Sequence, residues 1–507
     1  MTHSAPKRAL LGLLALTMVC VPFYGAWRYE ESRRAVTAQE APPGSRSGGA
    51  AAVGGTPAGR RARGTAPVVL AYHDIARDHR SRSRYTVTPE AFDAQLAALS
   101  AAGYRTLGSE EFVAYLRGGP APGPRSVFLT FDDGTHGLWV HADRILAKYR
   151  MRAAAFLITR AVGSHRPYYL SWDEVGRMHR SGRWDFQNHT RDLHRRAAVD
   201  ASGRRSSVLA GRLWLPGEER RESEREYRRR VEADLDRAND DITRHGLPAP
   251  DLFAYPFSEA DGHISVGPTN RILRAALASR FAAALTNSSA RPLPAGRRAA
   301  EAREVRRVEI TAGTAVGDLM ADVERWTAVT PAACPAPLTQ PALWQHEDRA
   351  GTTGVGVFTG AGPYPRATGY IAAAYRPESS ADWSGYTVDA RAGGLRDARN
   401  NVRLIVRDGS LAPVAVGLSY SYVRLLEFRG GRWHETARRR LNDSAGHRVR
   451  ITVEEDRTVA VVDGRTRIEQ AVRAAGGDAT GGLRVSVRNG GPGGAWPRFT
   501  SLAVRPR

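Results

Sequence analysis

Cysteine and lysine are nearly absent from this chain. Two cysteines, Cys20 and Cys334, stand in 507 residues. One falls in an apolar N-terminal run and the other among prolines, so no disulfide framework staples the protein and the fold must rest on its cores. Of 74 basic residues only Lys7 and Lys148 are lysine. The others are arginines spread along the chain beside abundant alanine and glycine, so the formal charge of +22 reads as a coding bias. Without an aromatic-interleaved basic stripe, nucleic acid is not an expected partner. The charge would still favour proximity to anionic cell-wall polymers or lipid headgroups, an attraction that salt screens. Long hydrophobic runs are lacking too, except Ala9 to Trp27, which no charge interrupts and which Lys7-Arg8 precede. Its length suits a bilayer span, and the leading positive charge predicts an inside N-terminus with the bulk of the chain outside the membrane. No small-x-small cleavage site follows directly, which favours an uncleaved anchor over a signal peptide that would release a secreted protein.

What is present is enough for two cores, at 42% hydrophobic content. After the N-terminal segment 1–27, residues 28–65 are rich in Gly, Ala, Pro, Ser and Arg and read as a flexible linker. From Val68, strand-like and helix-like patterns alternate. Strands are expected at Val68 to Tyr72, Ser126 to Phe131, Ala153 to Ile158, Trp184 to Asn188, Leu252 to Tyr255 and Phe281 to Leu285. Helices are expected from Thr88-Pro89, with an N1 proline, over Leu138 to Tyr149, over Ser171 to Arg180 with the capping box Ser171/Glu174, and over Val316 to Trp326. This α/β alternation predicts parallel strands wrapped by helices over 66–327, in a barrel or open sheet. Between them, Glu218 to His245 is dense in Glu and Arg at helical spacing, which predicts a solvated helix laced by i,i+4 pairs. Trp214 and Leu215 just before it are expected in the core.

Within that alternation, Phe128-Leu129-Thr130-Phe131 ends in Asp132-Asp133-Gly134. Neighbouring side chains on a strand point to opposite faces, so both acids serve one site only where the strand stops and the backbone turns, which Gly134 permits. Downstream, His189-Thr190-Arg191-Asp192-Leu193-His194 sets two imidazoles five residues apart, a spacing for a loop or helix end. One aspartate and two histidines make a first shell for a divalent metal with open positions, leaving the other aspartate as a base.

In this order the two motifs resemble the NodB-type polysaccharide deacetylases, carbohydrate esterase family 4, whose first motif reads T-F-D-D-G and second H-S/T-x-x-x-H. The resemblance covers roughly 66–327 and implies a distorted (β/α) barrel. It also implies Asp132 as catalytic base and Asp133, His189 and His194 as ligands of a divalent metal, expected to be Zn2+. The third motif departs: Phe253-Ala254-Tyr255-Pro256-Phe257 has Ala254 where the family carries arginine. The late histidine motif is missing, with Val305-Arg306-Arg307-Val308-Glu309-Ile310 in its place. Tyr72-His73-Asp74 and Ser171-Trp172-Asp173-Glu174 look like the deacetylases of exported poly-N-acetylglucosamine, which also lack that histidine. An N-acetylglucosamine polymer is therefore the expected substrate, with contacts at Tyr255, Pro256, Phe257 and Trp172. Backbone N–H groups around Tyr255 would hold the oxyanion, and His73 is the candidate acid for the departing amine. Two rivals stand: a glycan-binding surface protein with an impaired deacetylase domain, which the absent arginine and histidine would allow, or a deacetylase of peptidoglycan sugars or O-acetylated xylan.

Beyond a Pro-rich linker at 328–341 the texture changes. Short alternating segments, among them Val402 to Val406, Tyr422 to Phe428, Arg448 to Val453, Val459 to Val462 and Leu483 to Val487, predict an antiparallel sandwich over 342–507. His447 to Gly464 resembles the concanavalin-type jelly rolls, implying a carbohydrate-binding domain. Trp383, Tyr386, Tyr420, Tyr422, Trp433 and Trp496 would be its sugar-stacking candidates, although burial is the commoner fate of such residues.

Overall fold

A computed structural model describes residues 66–507 apart from 78–82, 165–166, 259–267, 289–292, 348–351, 365, 367, 398, 430, 473–478 and 492–494. The expected anchor (1–27) and flexible linker (28–65) lie outside the described residues. Among those described, no helix is long and apolar enough to cross a membrane.

The N-terminal unit is built on a nine-stranded parallel sheet, eight of whose strands follow one path: β1 (Val68–Tyr72), β2 (Ser126–Phe131), β3 (Ala153–Leu157), β4 (Trp184–Asn188), β5 (Leu252–Ala254), β6 (Ala283–Thr286), β7 (Val305–Arg306) and β8 (Val308–Glu309); the ninth, Arg105–Thr106, pairs with β2 off that path. The first three are buried along their whole length, as strands covered on both faces must be. Their spatial order is β7-β6-β5-β4-β3-β2-β1-β8. The two ends of this sheet are consecutive in sequence and separated by Arg307 alone, so the sheet rolls into a nearly closed barrel whose seam is one residue wide. Helices wrap it. Helix α1 (Pro89–Ala101) starts at Thr88, whose hydroxyl accepts from the Ala91 N–H, and turns Phe92, Leu96 and Leu99 inward. Helices α2 (Ser109–Leu116) and α3 (Asp143–Tyr149) follow, the latter preceded by a wide π-type turn at Leu138–Ala142. Helix α4 (Trp172–Arg180) carries the expected capping box in full. The Ser171/Glu174 signal thus read correctly.

Helix α5 (Glu224–Arg244) departs from the expected solvated helix. Its polar face does carry an i,i+4 pair, Arg228 with Glu232 at 3.7 Å. Yet Tyr227, Val231, Leu235, Ala238 and Ile242 recur at three- and four-residue spacing and are buried, most of them in a cluster with Phe253 and Tyr255 beside the site. Trp214 is also displaced from its expected core position: it is half-buried on a two-stranded ribbon that pairs it with Arg221.

The barrel ends with α6 (Pro268–Ala278), α7 (Arg297–Glu301) and α8 (Val316–Trp326). The segment expected as a linker at 328–341 is instead folded onto the second unit. Cys334 lies fully buried in that unit's core, and the Trp344 indole N–H donates to the Pro337 carbonyl at 3.0 Å. Arg298 on α7 spans the junction, donating to the carbonyls of Thr480 and Ala381 and pairing with Asp382 at 3.1 Å.

The C-terminal unit is all-β and antiparallel. Its strands are β9 (Trp344–His346), β10 (Gly369–Tyr375), β11 (Tyr386–Gly393), β12 (Asn401–Asp408), β13 (Val414–Leu418), β14 (Tyr422–Arg429), β15 (Arg432–Arg440), β16 (Gly446–Val453), β17 (Arg457–Val462), β18 (Thr466–Ala471), β19 (Gly482–Asn489) and β20 (Arg498–Pro506). One sheet has the order β9-β10-β19-β12-β13-β14-β15 and the other β18-β17-β16-β11-β20. Alternate residues of both, such as Leu404 and Val416 from the first and Ile451 and Val504 from the second, share one core. Trp383, Tyr386 and Trp496 are buried there and cannot stack on a sugar; Tyr420, Tyr422 and Trp433 are only half-buried.

Candidate active site

The C-terminal ends of the barrel strands carry the expected motif residues. Asp132 follows β2, and the chain then turns through Asp133 and Gly134, both in the left-handed region (φ 72° and 76°). Aspartate and glycine tolerate that region, and the turn brings both carboxylates to one rim of the barrel. After β4, Thr190 (φ 71°) is a β-branched residue in the same region, a strained position beside His189 that its fold must hold in place. Part of that hold comes from α5. The Asp234 carboxylate accepts the backbone N–H groups of Arg191 and Asp192 at 2.8 and 2.9 Å, pinning the loop between the two histidines.

Asp133, His189 and His194 present ligand atoms within 4.8 Å of one another. Asp133 Oδ1 stands 3.6 Å from His189 Nε2 and 3.5 Å from His194 Nε2, close to the roughly 3.3 Å that separates neighbouring corners of a tetrahedral site with bonds of about 2.1 Å. His189 Nδ1 donates to the Ala254 carbonyl at 2.8 Å, which leaves its Nε2 lone pair facing the carboxylate. Asp133 Oδ1 is buried with no hydrogen-bond partner among the described residues. An orphaned buried carboxylate oxygen between two imidazole nitrogens is a donor set that fits a divalent cation. The electrostatics agree. Burial pushes the His194 imidazole down to about 4, which keeps it neutral, while burial at His189 is outweighed by Asp132 and Asp133, which draw positive charge there.

Asp132 is held differently. Arg307, itself inaccessible to solvent, donates to both of its oxygens at 2.7 Å. Burial alone would raise the Asp132 carboxyl, but the charges of Arg307 and then His189 hold it well below the usual carboxylate range. The clamp on Asp132 thus comes from the seam of the barrel, 175 residues further along the chain. Arg307 Nε donates in turn to Asn287 Oδ1 at 2.7 Å, and Asn287 Nδ2 donates to Glu309 at 3.1 Å. Sequence reasoning had placed 305–310 only as the position of an absent histidine, and nothing local in Arg306-Arg307 distinguishes the buried guanidinium from its neighbour.

The cleft over these groups measures about 410 Å³. His73, at the end of β1, lines it with Nε2 3.9 Å from Asp132 Oδ2, beyond hydrogen-bond length, and its ring lies 4.5 Å from that of Tyr85. Tyr255 and Phe257 line it as well. Phe257 packs against the His194 ring at 4.7 Å and under the Arg196 guanidinium. Pro256 is buried and lies outside the lining. Trp172 departs from its expected place at the sugar site: as the first residue of α4 its ring is turned onto His245 at 3.9 Å, away from the lining. Of the backbone N–H groups expected around Tyr255 as oxyanion donors, that of Tyr255 donates to the Leu285 carbonyl at 3.0 Å and that of Ser258 to the Tyr255 carbonyl at 3.1 Å.

Comparison with known proteins agrees with this geometry. Residues 119–266 match the family described as polysaccharide deacetylase. Poly-β-1,6-N-acetyl-D-glucosamine N-deacetylase of Staphylococcus epidermidis is 38% identical over 113 residues, which make up 22% of this chain and 39% of that protein. The Staphylococcus aureus protein of the same name is 35% identical over a segment of the same extent. The chain thus spans less than half the length of these curated relatives. A solved structure of IcaB from Ammonifex degensii is 27% identical and aligns with 52% of this chain and 99% of its own, with a TM-score of 0.39. All four residues of the Asp132, Asp133, His189, His194 constellation fall inside the matched segment, and this chain carries a polysaccharide deacetylase domain.

Proposed function

We propose that the barrel hydrolyses the acetamide of an N-acetylglucosamine polymer, releasing acetate and leaving a free amine, and that it does so with a divalent metal at Asp133, His189 and His194. The observation that carries this reading is the pairing of that orphaned donor set with an ionised, arginine-clamped carboxylate in one cleft. A cation held there would supply Lewis acidity toward the acetamide carbonyl and toward water. Asp132 takes the proton of the water that attacks the carbonyl carbon. Its clamp fixes the direction of approach and keeps it ionised at neutral pH. The Phe257 N–H lies in the segment suited to donate to the developing oxyanion. The C–N bond then breaks, and His73 supplies a proton to the departing amine.

The dead-domain alternative loses part of its motivation, because Asp132 keeps an arginine partner, Arg307, although position 254 is alanine. The relatives' names supply β-1,6-linked poly-N-acetylglucosamine as the first polymer to test. We further infer a placement outside the membrane, supported by Lys7-Arg8 ahead of the apolar run Ala9 to Trp27. Acetate release should fall to background on chelation and return with Zn2+ or another divalent ion. Asp132→Asn should keep bound metal while losing at least a hundredfold in turnover, whereas His194→Ala should lose both. Full activity in metal-stripped protein would refute the proposal.

A further inference from the structure

Outside the barrel, arginines that are scattered in sequence converge on one surface. On the seven-stranded sheet, one face enters the core and the other turns away from it. Direct cross-strand partners on the outer face form a row: Ala372 on β10, Ser486 on β19, Arg403 on β12, Gly417 on β13, Arg424 on β14 and Arg438 on β15. Six strands at about 4.8 Å make this row roughly 24 Å long. Its residues are either small or arginine, so the long stems lean over a shallow floor. A Cβ at Gly417 would lie 3.7 Å from Leu426, 3.8 Å from Arg403 and 3.9 Å from Arg424, so both arginine side chains come close to this glycine. Directly opposed like charges destabilise a sheet. Here Arg424 faces Arg438, and one carboxylate, Glu435, serves both at 3.5 and 2.8 Å. Arg403 and the nearby Arg488 have no carboxylate partner among the described residues, and the Nε–H groups of Arg403 and Arg424 are buried without an acceptor. Burial lowers the Arg403 guanidinium from its ordinary value, and Arg424 and Arg488 add to the effect against an opposing contribution from Tyr370. The fold holds positive charge together here at a cost, with a single carboxylate, Glu435, against Arg424 and Arg438 and none against Arg403 or Arg488 among the described residues.

Aromatic rings flank the row. Tyr370, opposite Arg488 on β10, is 46% exposed, and Phe428, paired with Trp433 at 5.2 Å, is 39% exposed. The guanidinium groups of Arg424 and Arg438 lie over the Tyr422 ring at 5.3 and 4.7 Å. Forked donors match carboxylates, and exposed ring faces match the apolar faces of sugars. We propose that the outer face of the seven-stranded sheet binds a carboxylate-bearing polysaccharide laid across the strands, with Arg403, Arg424 and Arg488 engaging its carboxylates and Tyr370 a sugar ring. A polymer carrying ammonium groups, such as a deacetylated glucosamine chain, would be repelled, so this surface is not a second site for the product of the barrel.

The test uses the full chain and four probes: polygalacturonate, neutral dextran, cationic chitosan, and polyphosphate, which has the charge without the rings. Polygalacturonate should bind in a salt-sensitive manner, dextran and chitosan should not, and polyphosphate should bind at least tenfold more weakly. Arg403→Gln and Arg488→Gln keep the aliphatic stems and should each weaken polygalacturonate binding about tenfold, the loss of one charge-assisted contact. Tyr370→Ala should weaken it severalfold. All three variants should release acetate at the parental rate and melt no lower than the parent. Absence of polygalacturonate binding would overturn the proposal, as would polyphosphate binding of equal strength, chitosan binding, or variants that bind like the parent. A lowered melting point with unchanged binding would assign the arginines to structure.

Discussion

Two regions of the molecule, the interior of the barrel unit and the outer face of the seven-stranded sheet, hold their arginines in opposite ways. Inside the barrel unit, three guanidinium groups are matched by carboxylates: Arg307 forks onto Asp132, Arg183 onto Asp143, and Arg230 onto Glu222. On the outer face of the seven-stranded sheet, Arg424 and Arg438 share Glu435, while Arg403 and Arg488 lie near them with no carboxylate partner among the described residues. A matched arginine fixes the geometry of something the protein already contains. A crowded one is arranged for something the protein does not contain. Composition cannot separate the two roles, because both draw on the same arginine-rich background.

The comparison breaks most visibly at Arg307. Arg307→Leu would strand a buried carboxylate, so unfolding free energy should fall by about 3–5 kcal/mol. Acetate release should drop by at least a hundredfold, as the base loses both orientation and charge. Denaturant midpoints and turnover on the same preparation check both, and a variant of parental stability would mean that the clamp contributes little. A smaller effect is expected at Asp234, which holds the loop through two accepted N–H groups. Asp234→Asn keeps one acceptor and should cost about 1–3 kcal/mol, with metal affinity lowered ten- to a hundredfold, read by competition with a chelator. The smallest effect sharpens the other side of the comparison. Arg403→Gln relieves crowding and should leave the unfolding free energy unchanged or raise it by up to about 0.5 kcal/mol. A loss above about 1 kcal/mol would place Arg403 with the matched arginines.

These differences also explain what could be read from the chain. The Asp132-Asp133-Gly134 turn and the His189 to His194 loop were legible because each is contiguous and follows an apolar strand, so local rules suffice. Strands β1, β2 and β4 and helix α8 fall where periodicity put them. Arg307 was not legible, since its role depends on strand order bringing β8 around to pair with β1, which puts the side chain within reach of Asp132 at the end of β2. Trp172 was misplaced because a capping box fixes where a helix starts and says nothing of where its first side chain turns. The buried face of α5 was overlooked because its charge density masked apolar residues at three- and four-residue spacing. The arginine row was invisible for a further reason: its members lie on different strands, and only register aligns them.

The one-residue seam of the barrel has a dynamic consequence. Strands β7 and β8 are two residues each, so few backbone hydrogen bonds resist local opening at that edge, and the Arg307 side chain reaching inward to Asp132 acts as an internal tie across it. Breathing of the seam and release of the base then become one motion. Amide hydrogen exchange at 305–309 should accordingly report the state of the active site from the far side of the barrel wall.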